Sequence, residues 1–268
     1  MRDTMHTNLV KKFCTPPVSE ITNIDTKLLS KARKTEISFE GNMLPVFTWG
    51  EGKTVMLLHG WGSRASHLAI MARILVQAGF RVVTFDAPAH SSVKNNTLKV
   101  TTNMFEFGRS LFAVANQTGK IHALIGYSLG AATSAFIVSG FLKMAKYKIS
   151  LQKLVLISSP SSIDAMIDHF SDNYNLSPNE KTKLKEEVEK EFDLTILDYS
   201  VGTALKNSTV DLMLIHDKDD NEFPISNVYK IHKDCRSATL AITEGHGHHK
   251  ILLDRNILNK ISDFLTTN

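Results

Sequence analysis

From residue 36 onward, short β-branched apolar runs alternate with amphipathic stretches, and this rhythm constrains the fold more than any other feature of the chain. The runs are Thr54 to Leu58, Val82 to Phe85, His122 to Ile125, Leu154 to Ile157, Leu212 to Ile215 and Thr239 to Ile242, each bounded by Gly, Pro or polar residues. Helical patterns fall between them at about 65–78, 98–116, 129–145, 225–233 and 249–265. Continuous apolar runs at that spacing predict buried parallel strands joined by right-handed helical crossovers. Two earlier runs, Glu36 to Phe39 and Leu44 to Trp49, flank Glu40-Gly41-Asn42, where Gly and Asn suit the positive φ of a tight turn. They predict an antiparallel hairpin at one edge. The expected class is α/β, a mostly parallel sheet of about eight strands flanked by helices.

One stretch breaks the rhythm. Residues 161–207 hold the most charged part of the chain, with Leu184, Val188 and Phe192 at helical spacing. Ser177-Pro178-Asn179-Glu180 supplies an N-cap, a first-turn Pro and an acid at the positive end of the dipole, so a helix should begin there. Such a helix is either a plain solvated face or, inserted between strands, a lid over a pocket. The expected organisation is an N-terminal arm over 1–35 and one domain over 36–268, with the lid insertion at about 161–207.

Composition narrows the class of function. With 268 residues, 43% hydrophobic and 22% charged, the chain can bury a large core and is no disordered, collagen-like or disulfide-scaffold sequence. Its net charge of +4 is spread along the chain, which speaks against nucleic acid as a partner. Cys14 and Cys235 lie in no CxxC or zinc pattern, and a reducing compartment suits them. No signal-peptide core is visible in Met1 to Phe13, and no apolar stretch approaches the roughly 20 residues of a membrane span. The expected location is cytoplasmic.

In open α/β sheets the chemistry collects at the carboxyl ends of strands. After the run ending at Ile125 comes Gly126-Tyr127-Ser128-Leu129-Gly130, a GxSxG pattern between a strand and a helix that begins with small residues. A nucleophilic Ser on a sharp strand-to-helix turn needs glycines two before and two after it, since side chains there would collide. The Ser hydroxyl also needs a base, and the base an orienting acid. Asp217, Asp219 and Asp220 follow the Leu212 to Ile215 run, and His246, His248 and His249 follow the last. On residue types and order alone, either cluster offers three candidates.

These blocks together resemble the α/β-hydrolase superfamily of serine-hydrolase type, in its bacterial serine-aminopeptidase-like or general branch, over about residues 36–268. His216-Asp-Lys-Asp-Asp-Asn-Glu-Phe-Pro224 resembles the family's HGxxDxxVP block, whose acid lies four before the Pro, and so implies Asp220. Gly245-His246-Gly247-His248 followed by His249-Lys250-Ile251-Leu252 resembles a GxGHRRIL block and implies His248 as base. His59-Gly60-Trp61-Gly62 resembles the oxyanion loop, implying the backbone N–H groups of Trp61 and Leu129. The resemblance thus implies a serine hydrolase that cleaves a carboxylic ester or thioester of a small-molecule acyl substrate, with catalytic Ser128, Asp220 and His248, without metal or cofactor. The alternatives are a peptidase or amidase of the same fold, or a catalytically silent protein that binds a small ligand. Where the family has Asp-x-Pro-Gly-His-Gly, this chain has Ala89 and Ser91 in place of the glycines, so a different loop shape is expected. His59 and His90 are expected to hydrogen-bond loop backbone, and Asp86 to cap its own turn.

Overall fold

The computed structural model describes residues 9–17, 20–90 and 100–267. Ser91, the first eight residues of the arm and the start of the helix predicted from 98 lie outside them. Among the described residues, eight strands form one sheet in the order β1-β2-β4-β3-β5-β6-β7-β8. They are β1 (Arg33–Phe39), β2 (Asn42–Trp49), β3 (Thr54–Leu58), β4 (Arg81–Phe85), β5 (Ile121–Tyr127), β6 (Lys153–Ile157), β7 (Asp211–Asp217) and β8 (Thr239–Thr243). The hairpin β1–β2 is antiparallel, as is β2 against β4, and every later pairing is parallel. Glu40 and Gly41 both have positive φ, 45° and 79°, the requirement of a two-residue hairpin turn in a right-twisted ribbon. Strand β1 starts at Arg33, inside the stretch assigned to the arm. Its first four residues are exposed and so carry no apolar signal.

Strands β3, β5 and β6 are buried along their whole length. Their alternate residues feed two cores: Met56, Leu58, Leu124 and Leu156 pack on one face, and Val55, Leu57, Ile125 and Ile157 on the other. That period-2 division is the reason the runs are apolar without interruption. Each fully buried Leu or Ile stabilises the fold by about 1.5–3 kcal/mol. The first core is covered by helix Leu129–Ser139, buried on all sides from Leu129 to Val138, and the second by helices Ala69–Gln77 and Arg255–Thr266.

Helix ends follow local chemistry more closely than periodicity does. The helix expected over 129–145 stops at Gly140, whose φ of 66° forms a left-handed cap, and continues only as a 3-10 turn, Leu142–Tyr147. The one expected from 98 begins at Met104, where the Asn103 side chain accepts the Glu106 N–H at 3.0 Å. The last is divided at Asp254, whose side chain caps Arg255–Thr266 by accepting the Ile257 N–H at 2.8 Å.

Between β6 and β7 stand helices Ile163–Asn173 and Pro178–Phe192, followed by short turns Ile196–Asp198 and Val201–Leu205. Ser177 and Glu180 form a reciprocal capping box, and Pro178 occupies the first turn. Leu184 and Val188 are buried, and Lys181–Asp168 (2.8 Å) and Lys185–Asp164 tie the two helices together. The N-terminal segment packs beside them: Phe13 meets Phe170 edge-on at 5.3 Å between ring centroids, and Thr102 N–H donates to Cys14 C=O at 2.8 Å. Among the described residues no helix is long and apolar enough to cross a membrane.

Candidate active site

The chain leaves β3 toward β4 on one side and returns to β5 on the other, so the loops after β3 and β5 part and open a crevice at their carboxyl ends. Ser128 stands there, directly after β5 and before helix Leu129–Ser139, with φ 55° and ψ −123°. A side-chain-bearing residue avoids that region unless its surroundings impose it. Here Ser128 N–H donates to Ile157 C=O at 2.9 Å and Ser128 C=O accepts Ala131 N–H at 2.9 Å. A Cβ on Gly126 would lie 2.5 Å from the Gly130 oxygen, and one on Gly130 2.4 Å from the His59 oxygen. The two glycines of GxSxG therefore let the elbow close against itself and against the β3 loop.

The loops after β7 and β8 complete a hydrogen-bonded row. His248 Nε2 is 3.0 Å from Ser128 Oγ, and His248 Nδ1 is 2.8 Å from Asp220 Oδ2. All three residues are buried. The second oxygen of Asp220 accepts the N–H groups of Glu222 and Phe223 at 3.0 and 2.8 Å, which fixes the carboxylate plane. Burial raises the Asp220 pKa, but the hydrogen bond and charge of His248 and the Phe223 N–H outweigh it, so the group lies below its ordinary value.

The other candidates are drawn into different work. Asp217 accepts Thr243 Oγ1–H (2.7 Å) and the N–H groups of Asp219 (2.9 Å), Gly247 (3.0 Å) and His246 (3.1 Å). It ties the loop that carries His248 to the end of β7. Asp219 accepts Gly245 N–H at 2.7 Å in the same loop, and His246 faces Asp254 at 3.4 Å. His249 does not bond to Ser128 but stands between the Tyr127 hydroxyl (2.9 Å) and Glu222 (2.9 Å) on the cavity wall.

Two histidines staple the β3 and β4 loops. His59 Nε2 accepts Ala87 N–H at 3.0 Å while its Nδ1 faces Gly60 C=O at 2.8 Å. His90 Nε2 accepts Gly62 N–H at 2.9 Å, with Nδ1 facing Pro88 C=O at 2.9 Å. A ring nitrogen that accepts from a backbone N–H must be bare, so both rings are neutral with the proton on Nδ1. Burial holds both pKa values down, that of His90 to about 4. Asp86 differs from expectation: it reaches across to the Ala65 N–H at 2.8 Å instead of capping its own turn. Ala89 also differs, taking φ 61°, so the loop keeps a glycine-like backbone without the glycine. Among the described residues, the N–H groups of Trp61 and Leu129 meet no acceptor in the protein, and both residues line the cavity with Ser128.

That cavity has a volume of about 1140 Å³ and is walled by the β3 loop, the N-terminal segment, helix Met104–Thr118 and both insertion helices. Met104, Phe105, Met166, Phe170, Val188 and Phe192 give it a mainly apolar wall. Glu222 also faces it, with one carboxylate oxygen 3.4 Å from His248 Nε2, and composition and spacing did not single this residue out. The signal available was its place two residues after Asp220 in the same loop. Among the described residues, no group of three or more His, Cys, Asp and Glu side chains is arranged to hold a metal ion.

The model of the alpha/beta hydrolase family matches residues 55–256. No curated protein matches the chain. Among solved structures, an esterase from Pyrococcus furiosus is similar at 22% identity and a TM-score of 0.66, covering 93% of this chain and 98% of that one. A thioesterase domain from the curacin biosynthetic pathway is similar at 15% identity and TM-score 0.63, covering 88% and 99%. A bromoperoxidase from Bacillus anthracis is similar at 17% and 0.64, covering 88% and 100%. At such identities these neighbours share the fold, and the family match spans most of the sheet together with Ser128, Asp220 and His248. The chain belongs to the alpha/beta hydrolase family.

Proposed function

We propose that the chain is a serine hydrolase that cleaves a carboxylic ester or thioester through an acyl-enzyme. The observation that carries this reading is the row Asp220–His248–Ser128, at 2.8 and 3.0 Å, ending on a serine with positive φ at the floor of a large apolar cavity. Ser128 Oγ attacks the carbonyl carbon and its proton passes to His248 Nε2. Asp220 keeps the other imidazole proton on Nδ1 and stabilises the imidazolium that forms. The Trp61 and Leu129 N–H groups donate to the oxygen as it gains charge. The tetrahedral intermediate then collapses, the bond to the leaving oxygen or sulfur breaks, and His248 Nε2 returns its proton to that atom. Water, activated by the same histidine, releases the acid and restores Ser128.

The insertion over 161–207 acts in this reading as a lid, since both of its long helices line the cavity. The cavity is larger than the roughly 300–1,000 Å³ usual for small-ligand pockets, which favours an extended acyl group. Two buried free thiols, with Cys14 raised by burial to about 12, suit a reducing cytoplasmic setting.

The test is covalent labelling with a fluorophosphonate, read by intact mass on the native protein and on Ser128→Ala and His248→Ala. One adduct on the native chain, absent from Ser128→Ala and slowed by orders of magnitude in His248→Ala, is the expected result. A native chain that takes no adduct, or an adduct that survives Ser128→Ala, overturns the reading.

A further inference from the structure

Glu222 is a carboxylate turned into the cavity beside the group that hands a proton to the leaving atom. Its oxygens lie 2.9 Å from His249 Nε2, 3.4 Å from His248 Nε2 and 3.8 Å from His169 Nε2. Burial raises its pKa, but the hydrogen bond from His249 and the neighbouring histidines outweigh this, so the group is ionised at neutral pH. Leaving atom and His248 Nε2 must come within hydrogen-bond distance for proton transfer. Whatever substituent the leaving atom carries is therefore placed within a few ångströms of the Glu222 charge.

The surrounding groups leave that charge only partly answered. His169 also lines the cavity, and burial holds its pKa below the ordinary histidine value. His249 is the neighbour whose pKa is raised, by its hydrogen bond to Glu222, and its side chain is 77% exposed, where solvent weakens its field. Asp220 adds a second carboxylate just beneath, through His248. Among the described residues, Lys12 is the only lysine or arginine on the cavity wall, and its ammonium sits over the Tyr174 ring at 3.6 Å. The Phe223 ring, 5.7 Å from that of His248 and 5.0 Å from that of His169, adds an aromatic surface beside the carboxylate. A carboxylate next to an aromatic surface in a partly desolvated cavity attracts cations.

We infer that the leaving-group side of this site recognises a positively charged leaving group, an alcohol or thiol bearing an ammonium a few bonds from the leaving atom, with Glu222 as the specificity-determining residue. The inference rests on the serine-hydrolase reading for which side is which. The apolar wall under the insertion then takes the acyl part, and an anionic leaving group is repelled.

The test uses two alcohols of the same shape, choline and its uncharged isostere 3,3-dimethylbutanol, and their butyrate esters. Binding is measured by calorimetry and by slowing of fluorophosphonate labelling, on the native chain and on Glu222→Gln, with urea midpoints confirming that the variant is folded. The native chain should prefer the cation about tenfold, equivalent to about 1.4 kcal/mol, and Glu222→Gln should reduce the ratio to within about twofold. The kcat/KM ratio of the two esters should move in parallel. His249→Gln, which removes the partial counter-charge, should widen the preference. Equal affinities on the native chain, no detectable binding of the cation, or a preference that survives Glu222→Gln overturns the inference. A cation preference with no adduct at Ser128 sinks the hydrolase reading and leaves the cation site standing; an adduct at Ser128 with no cation preference does the reverse.

Discussion

At the residue scale, Asp217 and Ala89 show how much of this site lies in parts that do no chemistry. The carboxylate of Asp217 accepts four hydrogen bonds, and three of them come from the backbone N–H groups of Asp219, His246 and Gly247. Asp217→Ala should lower folding stability by about 2–4 kcal/mol, since it strands those donors, and should slow labelling of Ser128 as the His248 loop loosens. Urea unfolding and labelling rate read the two effects; a loss of stability with an unchanged labelling rate would show that the loop is held by other means. Ala89 sits at φ 61°, a conformation that costs a side-chain-bearing residue about 1 kcal/mol and glycine almost nothing. Ala89→Gly should therefore raise the urea midpoint by the equivalent of about 0.5–1 kcal/mol, and a lower midpoint would show the strain to be absent.

At the element scale, the helical insertion is joined to the rest differently from the sheet. Its helices bury one face each, and the ion pairs between them are exposed enough to contribute no more than about 0.2–1 kcal/mol apiece. Strands β3, β5 and β6 beneath are buried throughout. Amide exchange over 163–205 should accordingly run faster than in β3, β5 and β6. Ser177→Ala removes the capping box and about 1 kcal/mol of helix stability, so it should speed exchange in Pro178–Phe192 and leave the sheet unchanged. Uniform protection of insertion and sheet would argue against a lid that opens.

At the scale of the whole molecule, the histidine staples couple folding to pH. His90 is lowered by burial from 6.5 to about 4, so below pH 6.5 the unfolded chain takes up a proton that the folded chain refuses, and stability falls until about pH 4. Asp86 is raised by burial from 3.8 to about 6; between those values the folded chain takes up its proton first, and this contribution rises as pH falls. The two oppose each other over nearly the same window. His59, fully buried and lowered well below its ordinary value, is left to set the sign, and Asp217, lowered in spite of burial, adds a loss of the same sign at still lower pH. The urea midpoint should therefore drop between about pH 7 and about pH 4.5. A flat or rising profile would mean that the staples accept protons while folded.

How much of this was legible in the sequence depends on the range of the interaction involved. Buried parallel strands must be apolar on both faces, so their places in the chain, the hairpin at Glu40-Gly41 and the capped start of Pro178–Phe192 could be read from neighbouring residues. The elbow around Ser128 was legible for the same reason, since the collision that demands Gly126 and Gly130 lies within a few residues. Choosing among Asp217, Asp219 and Asp220, or among His246, His248 and His249, was beyond residue types and order, because each cluster offers chemically equivalent groups within a few positions. The resemblance pointed to Asp220 and His248, and the packing of the β7 and β8 loops brings those two together beside Ser128. The reach of Asp86 to Ala65, the left-handed backbone at Ala89 and the approach of Glu222 to His248 were decided by tertiary structure alone. Each is a contact or a backbone angle imposed by loops that come together only when the sheet is assembled, and no local pattern of residue types records it.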